Sequence, residues 1–135
     1  MKEKFMNLAL NEARKAFNKN EVPVGAIIIK DGKIISKAHN LVEKKNDVTM
    51  HAEIIAIRKA SKKLKNWRLN DCEMYVTLEP CLMCKNAIEL SRIKKVYFST
   101  TRNNKNNTIT IYEKYNKYEG KTTKIMQDFF NNKRN

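Results

Sequence analysis

Residues 74–100 read MYVTLEPCLMCKNAIELSRIKKVYFST, and the order of patterns in this stretch decides the fold. Met74–Leu78 is a short apolar run of the kind buried inside a sheet. Pro80 suits the first turn of a helix, where the N–H it lacks is not needed, and that helix is expected to run to about Ser91. Lys94–Thr100 is a second strand. A helix between two strands of one sheet makes them parallel, with a right-handed crossover.

The rest of the chain reads outward from this unit. Phe5, Leu8, Ala9, Ala13, Ala16 and Phe17 recur at helical period, so Lys4–Asn18 is an amphipathic helix, and Asn20, Pro23 and Gly25 break it. AIIIK and KIISKA flank Asp31-Gly32, a hairpin signal. Thr49 or Asp47 can cap a helix that carries His51 to about Leu64. TITIY, Thr108–Tyr112, alternates like a half-buried edge strand, and Asn116–Asn132 places Tyr118, Ile125, Met126, Phe129 and Phe130 on one side of a last helix. The order α-β-β-α-β-α-β-β-α predicts a three-layer α/β/α sandwich around a mixed five-stranded sheet. At 135 residues, the chain is expected to be a single domain, 1–135.

Hydrophobic content of 41% and a mean hydropathy of −0.66 fit a water-soluble domain. No apolar run approaches the ~20 residues needed to span a bilayer, so no membrane partner is expected. The N-terminal stretch carries acids at helical period and does not read as a leader. Three cysteines without a secretion signal point to a reducing cytoplasm. The formal charge of +14 fits a polyanionic partner such as nucleic acid, and equally an A/T-rich genome that favours Lys and Asn.

Chemistry concentrates in MHAE, Met50–Glu53, and TLEPCLMC, Thr77–Cys84. Cys81 and Cys84 stand at i and i+3 in the first turn of a helix, where the positive end of the dipole favours thiolate. His51 opens the other helix. Two thiolates and one imidazole are a catalytic zinc set, which leaves the fourth position to water. Glu53 lies two residues past His51; in an ideal helix it would turn roughly 200° away, but at a first turn both side chains can line one pocket. It is then placed to handle protons without binding the metal. A lone CxxC is weak, and a structural zinc would want a fourth ligand. Cys72 reads better as a buried small residue and His39 as a surface or supporting one.

These residues carry a resemblance. HxE followed by PCxxC is the signature of the zinc-dependent cytidine deaminase-like superfamily. Within it, EVPVGAIIIKDGKIISKAHN (21–40), HAEIIAIRKA (51–60), NWRL (66–69), MYVTLEPCLMCKNAIELSRIKKVYF (74–98) and DFFNNKR (128–134) resemble bacterial tRNA-specific adenosine deaminases. The resemblance implies hydrolysis of the wobble adenosine of a tRNA anticodon to inosine, with one Zn²⁺ on His51, Cys81 and Cys84 and with Glu53 as proton shuttle. It implies that Asn40 hydrogen-bonds the flipped base and that Pro23, Val24, Ala52 and Leu78 shape the pocket. It also implies a homodimer, with Phe129, Phe130, Lys133 and Arg134 of the last helix near the tRNA anticodon stem-loop. A flipped base needs phosphate contacts and stacking, so the basic balance now reads as functional. Trp67 is expected in the core, while Arg68 and Arg92 suit either ion pairs or phosphates.

The chain departs from the family after Thr100. FSTTRNNKNNTITIY runs almost directly into the next strand, and Arg102 and Asn103 stand where the family has an acid. This shortened loop, near 101–107, predicts a relaxed choice of substrate. The same signature also serves deaminases of free guanine or of cytosine-containing nucleotides, and a non-catalytic RNA-binding relative with structural zinc would not need Glu53.

Overall fold

The computed structural model describes residues 2–102 and 110–133, with the side chain of Lys133 left aside. The elements are α1 (Lys2–Asn18), β1 (Gly25–Lys30), β2 (Lys33–His39), α2 (Val42–Lys45), α3 (Ala52–Leu64), β3 (Cys72–Leu78), α4 (Leu82–Leu90), β4 (Lys95–Thr100), β5 (Ile111–Lys114) and α5 (Glu119–Lys133). The five strands form one mixed sheet in the order β2-β1-β3-β4-β5. β1 is antiparallel to β2 and β3, whereas β3, β4 and β5 are parallel.

Strand alternation sorts the side chains into two cores. Ala26, Ile28, Met74, Val76, Val96 and Phe98 face α3 and α4. Ile27, Ile29, Tyr75 and Tyr97 face the other way, against Phe5, Met6 and Ala9 of α1 and against Tyr118. Ala52, Ala56 and Ala60 recur every fourth residue with no exposed surface, which lets α3 lie close to the sheet. There the Ser36 hydroxyl donates to the Ala56 carbonyl at 2.9 Å. On the opposite face, α1 presses on Gly25 so closely that a Cβ there would stand 2.0 Å from the Ala9 carbonyl oxygen. The hairpin turns through Asp31 (φ 52°) and Gly32 (φ 76°), both left-handed as a two-residue turn between twisted strands requires. Among the described residues, no helix is long and apolar enough to cross a membrane.

Several expectations are corrected. Asp47 does not cap a helix: its carboxylate accepts the Thr49 N–H at 2.8 Å and the Thr49 hydroxyl at 2.7 Å, so α3 begins only after His51. Pro80 sits one residue ahead of the N-cap Cys81, outside α4. α2 was not anticipated, because its stabiliser lies far back in sequence. The Glu21 carboxylate accepts the N–H groups of Glu43 (2.9 Å) and Lys44 (2.7 Å). The last strand is Ile111–Lys114 rather than Thr108–Tyr112, of which 108 and 109 lie outside the described residues. Only residues 101–110 join the parallel β4 and β5, fewer than the dozen or so such a connection usually takes.

The final helix opens with a 3-10 turn, Asn116–Tyr118. Adjacent residues on a helix point ~100° apart, so only one of its phenylalanines can face inward. Phe129 is buried and Phe130 is 45% exposed. Trp67 is not in the core. It is 53% exposed, with the guanidinium carbons of Arg68 and Arg92 4.4 and 5.8 Å from its ring centre; Leu69 is the residue that enters the core.

Candidate metal centre and substrate cavity

The sheet register brings four chain segments to one end of the molecule. Gly25 pairs with His39, Ala26 with Val76, and Leu78 with Thr100, so Val24, Asn40, Glu79 and the residues after Thr100 emerge together. α3 and α4 both start here. His51 is the N-cap of α3 and Cys81 the N-cap of α4, each with extended backbone and neither using its side chain as a cap. The two side chains are therefore turned to each other. Cys84, fully buried, completes the group from the first turn of α4.

His51 Nδ1 lies 3.7 Å from Cys81 Sγ and 3.4 Å from Cys84 Sγ, and the donor atoms of all three residues fall within 4.8 Å of one another. A tetrahedral zinc ion would hold its S and N ligands ~3.6 Å apart, so the donor set and its spacing fit that ion. Burial, and then the charge of Arg102, hold the His51 imidazole below its ordinary pKa, in the neutral form that ligates. Burial and the neighbouring Glu53 push the Cys84 thiol far up, so only a bound cation favours thiolate there. Cys72 is buried at the opposite end of β3 and takes no part.

Glu53 is 3% exposed. Because His51 is an extended N-cap and not a helical residue, the expected rotation between the two does not apply, and both line one cavity. Burial raises the Glu53 carboxyl to about 7, against weaker opposing effects from its own backbone N–H, Arg102 and Cys84. No basic side chain hydrogen-bonds it among the described residues.

The cavity encloses about 550 Å³. Its walls include His51, Ala52, Glu53, Val24, Asn40 and Arg102. The Asn40 amide is held at both ends: its Nδ2 donates to the Val22 carbonyl and its Oδ1 accepts the Val42 N–H, each at 3.3 Å. Phe129 reaches the cavity too, resting edge-on against Phe17 of α1 at 6.2 Å. Two residues expected to shape the pocket are not among those that line it: Pro23 is buried, and Leu78 borders a separate groove beside α5, which Phe130, expected at the RNA, also borders. Neighbouring residues in extended chain point to different sides. Arg134 lies outside the described residues.

Sequence reading did not single out Glu21, Val22 or Val42, nor a role for Arg102 beyond its departure from the family pattern. The only available signal was EVPVG ahead of a strand. The use of Glu21 as a distant helix cap has no local pattern.

A metal trio, a buried acid beside it and a cavity at the helix N-termini are the parts of a zinc-dependent hydrolytic deaminase. Residues 1–100 match the cytidine and deoxycytidylate deaminase zinc-binding region. A tRNA-specific adenosine deaminase of Aquifex aeolicus is 53% identical over 111 residues, which cover 82% of this chain and 74% of that protein. A structure from a study of A-to-I editing by tRNA:A34 deaminases at the wobble position superposes with a TM-score of 0.78 at 36% identity, covering 84% of this chain and 98% of the other. A guanine deaminase from Bacillus subtilis superposes less closely, with a TM-score of 0.70 at 31% identity and 93% of each chain covered. The chain belongs to the cytidine and deoxycytidylate deaminase zinc-binding family and, within it, to the tRNA-specific adenosine deaminases.

Proposed function

We infer that the protein converts adenosine to inosine at the wobble position of tRNA anticodons, consuming water and releasing ammonia. The observation that carries this reading is the His51, Cys81 and Cys84 cluster, one of whose members, His51, shares a cavity with the buried Glu53, which no cation pairs, in a chain of this family. Zinc, when held by the trio, supplies a Lewis acid that makes water nucleophilic near neutral pH. Glu53 accepts a proton as water attacks C6 of the purine and delivers it to the departing amine. Asn40 hydrogen-bonds the purine edge, and Val24 and the backbone of Ala52 shape the pocket around it. These roles keep the base fixed and water-poor while it reacts.

The remaining contacts follow from where the chain ends its last helix. Phe130 is exposed beside Phe129, the two rings edge to face with centres 5.2 Å apart, and it offers a platform for an unstacked base, with Lys133 and Arg134 serving phosphates. Pro23 and Leu78 would act from behind the wall, by holding Val24 and the β3 end in place. The short connection after β4 leaves less surface for reading the loop, which favours a relaxed choice among anticodons. A cytoplasmic location fits such a substrate.

The protein acts as a homodimer. Leu82 (57% exposed) and Leu90 (68% exposed) lie eight residues apart on the outer face of α4, with Met83 beside them, and an apolar helix face beside the active site suits a second copy. Light scattering should give twice 15.8 kDa; a monomer at micromolar concentration overturns the dimer alone.

The function is tested by incubating zinc-loaded protein with a panel of anticodon stem-loops bearing adenosine at the wobble position and reading A-to-G changes by sequencing. Conversion of several members supports the reading, and sharp preference for one removes the relaxed-specificity part. Faster ammonia release from free guanine than from any stem-loop overturns it.

A further inference from the structure

Arg102 is the only lysine or arginine among the described residues that line the cavity. Its position is built from below. Glu79, 8% exposed, pairs with the buried Lys85 at 3.1 Å through Oε2. Glu79 Oε1 accepts the Arg102 backbone N–H at 2.8 Å, and the Glu79 carbonyl accepts Arg102 Nε–H at 2.6 Å. The guanidinium is therefore clamped by its inner edge. Neither Nη atom has a partner among the described residues.

Charge leaves this cluster unbalanced. One carboxylate serves Lys85 and Arg102 together, so Glu79, Lys85 and Arg102 sum to one net positive charge, presented to the cavity. The other acids nearby do not cancel it. Glu21 is committed to the N-terminus of α2, Glu43 is exposed, and Glu53 feels the Arg102 charge without hydrogen-bonding it. A partly desolvated, oriented guanidinium with two free donors matches the fork geometry of a phosphate.

We propose that Arg102 forms a phosphate subsite, binding one of the two backbone phosphates that flank the nucleotide whose base enters the cavity. This rests on the reading that the substrate is an RNA loop. Arg102 would be a positioning residue: it anchors the strand at a fixed distance from the zinc trio, and the base swings into the cavity from there. It would also favour a nucleotide in a strand over a free base, which has no phosphate to offer. Surface lysines attract RNA without register, whereas this one clamped cation sets the register.

The test pairs Arg102 variants with wobble-adenosine stem-loops in which either flanking linkage is a neutral methylphosphonate. Arg102→Ala should lower kcat/KM roughly 10- to 100-fold, mainly through KM, with Arg102→Lys recovering part of it. The neutral linkage at the contacted side should cost the wild type a similar factor and should cost Arg102→Ala almost nothing further. If the neutral linkages weaken wild type and Arg102→Ala by equal factors, or if Arg102→Ala keeps full efficiency, the subsite is overturned. Loss of zinc or of thermal stability in Arg102→Ala with unchanged linkage effects also overturns it, since Arg102 would then serve only the scaffold. A wild type that converts no all-phosphate stem-loop would instead overturn the function itself.

Discussion

Two carboxylates expose almost no surface in this molecule, Glu53 being the more deeply enclosed, and they have opposite fates. Glu12, on α1, is 5% exposed, and Glu53, on α3, is 3% exposed. Burial raises both, because it disfavours the charged form. At Glu12 that effect is outweighed by hydrogen bonds from His39 (Nδ1, 2.9 Å) and Lys15 (2.8 Å), and the carboxyl ends below its ordinary pKa. At Glu53 no cation is in hydrogen-bond contact, and burial carries it to about 7. A scaffold acid is paired so that it stays charged. The acid that we propose carries the proton is left without a cationic partner, which keeps its proton exchangeable near neutrality.

The contrast is broken most severely at Glu53. Glu53→Gln should lower turnover on a stem-loop by at least about 10³-fold, while zinc stoichiometry by metal analysis and the melting temperature stay at wild-type values. Glu12→Ala should do the reverse. It leaves the His39 ring without its carboxylate, and urea unfolding should show a loss of about 2 kcal/mol, with kcat unchanged within about threefold. A Glu12 variant that loses activity without losing stability would erase the distinction.

The smaller effects sharpen it. Glu12 has a folded-state pKa below its unfolded value of 4.5, so its contribution is present above that value and is lost as pH falls through the folded pKa. The stability gap between wild type and Glu12→Gln, measured by urea melts, should hold steady from pH 7 to pH ~5 and shrink below pH ~4. Lys15 is 57% exposed in its pairing with Glu12, so solvent screens it and Lys15→Ala should cost less than about 0.5 kcal/mol. A larger loss would mean that Lys15, more than His39, keeps Glu12 charged.

The two acids also differ in how legible they were. Glu53 could be read from HAE followed by PCLMC, because zinc chemistry demands particular residue types at helix N-termini, and such demands survive in linear spacing. The apolar, β-branched character of AIIIK, MYVTL and KVYFST likewise announced the strands, while their faces came from the sheet register. Glu12 carried no signal at all: its partner His39 lies 27 residues away across the α1–β2 contact. Trp67 and the pair Phe129–Phe130 show the same limit. Hydrophobicity says that a residue can be buried, while the choice between neighbours depends on helix phase and on which space another element already fills.

What the sequence determined by itself was local: the α/β order, the hairpin turn, the identities of the candidate metal ligands and of the acid beside them, because each rests on contacts within a turn or on a residue type that only one chemistry needs. Tertiary structure alone decided which residues line the cavity, that Glu21 builds a short helix from twenty-odd positions away, and that Glu79 and Lys85 hold Arg102 toward the reacting site. Those depend on long-range packing, where the position of a side chain is set by the summed geometry of several elements and not by its neighbours in the chain.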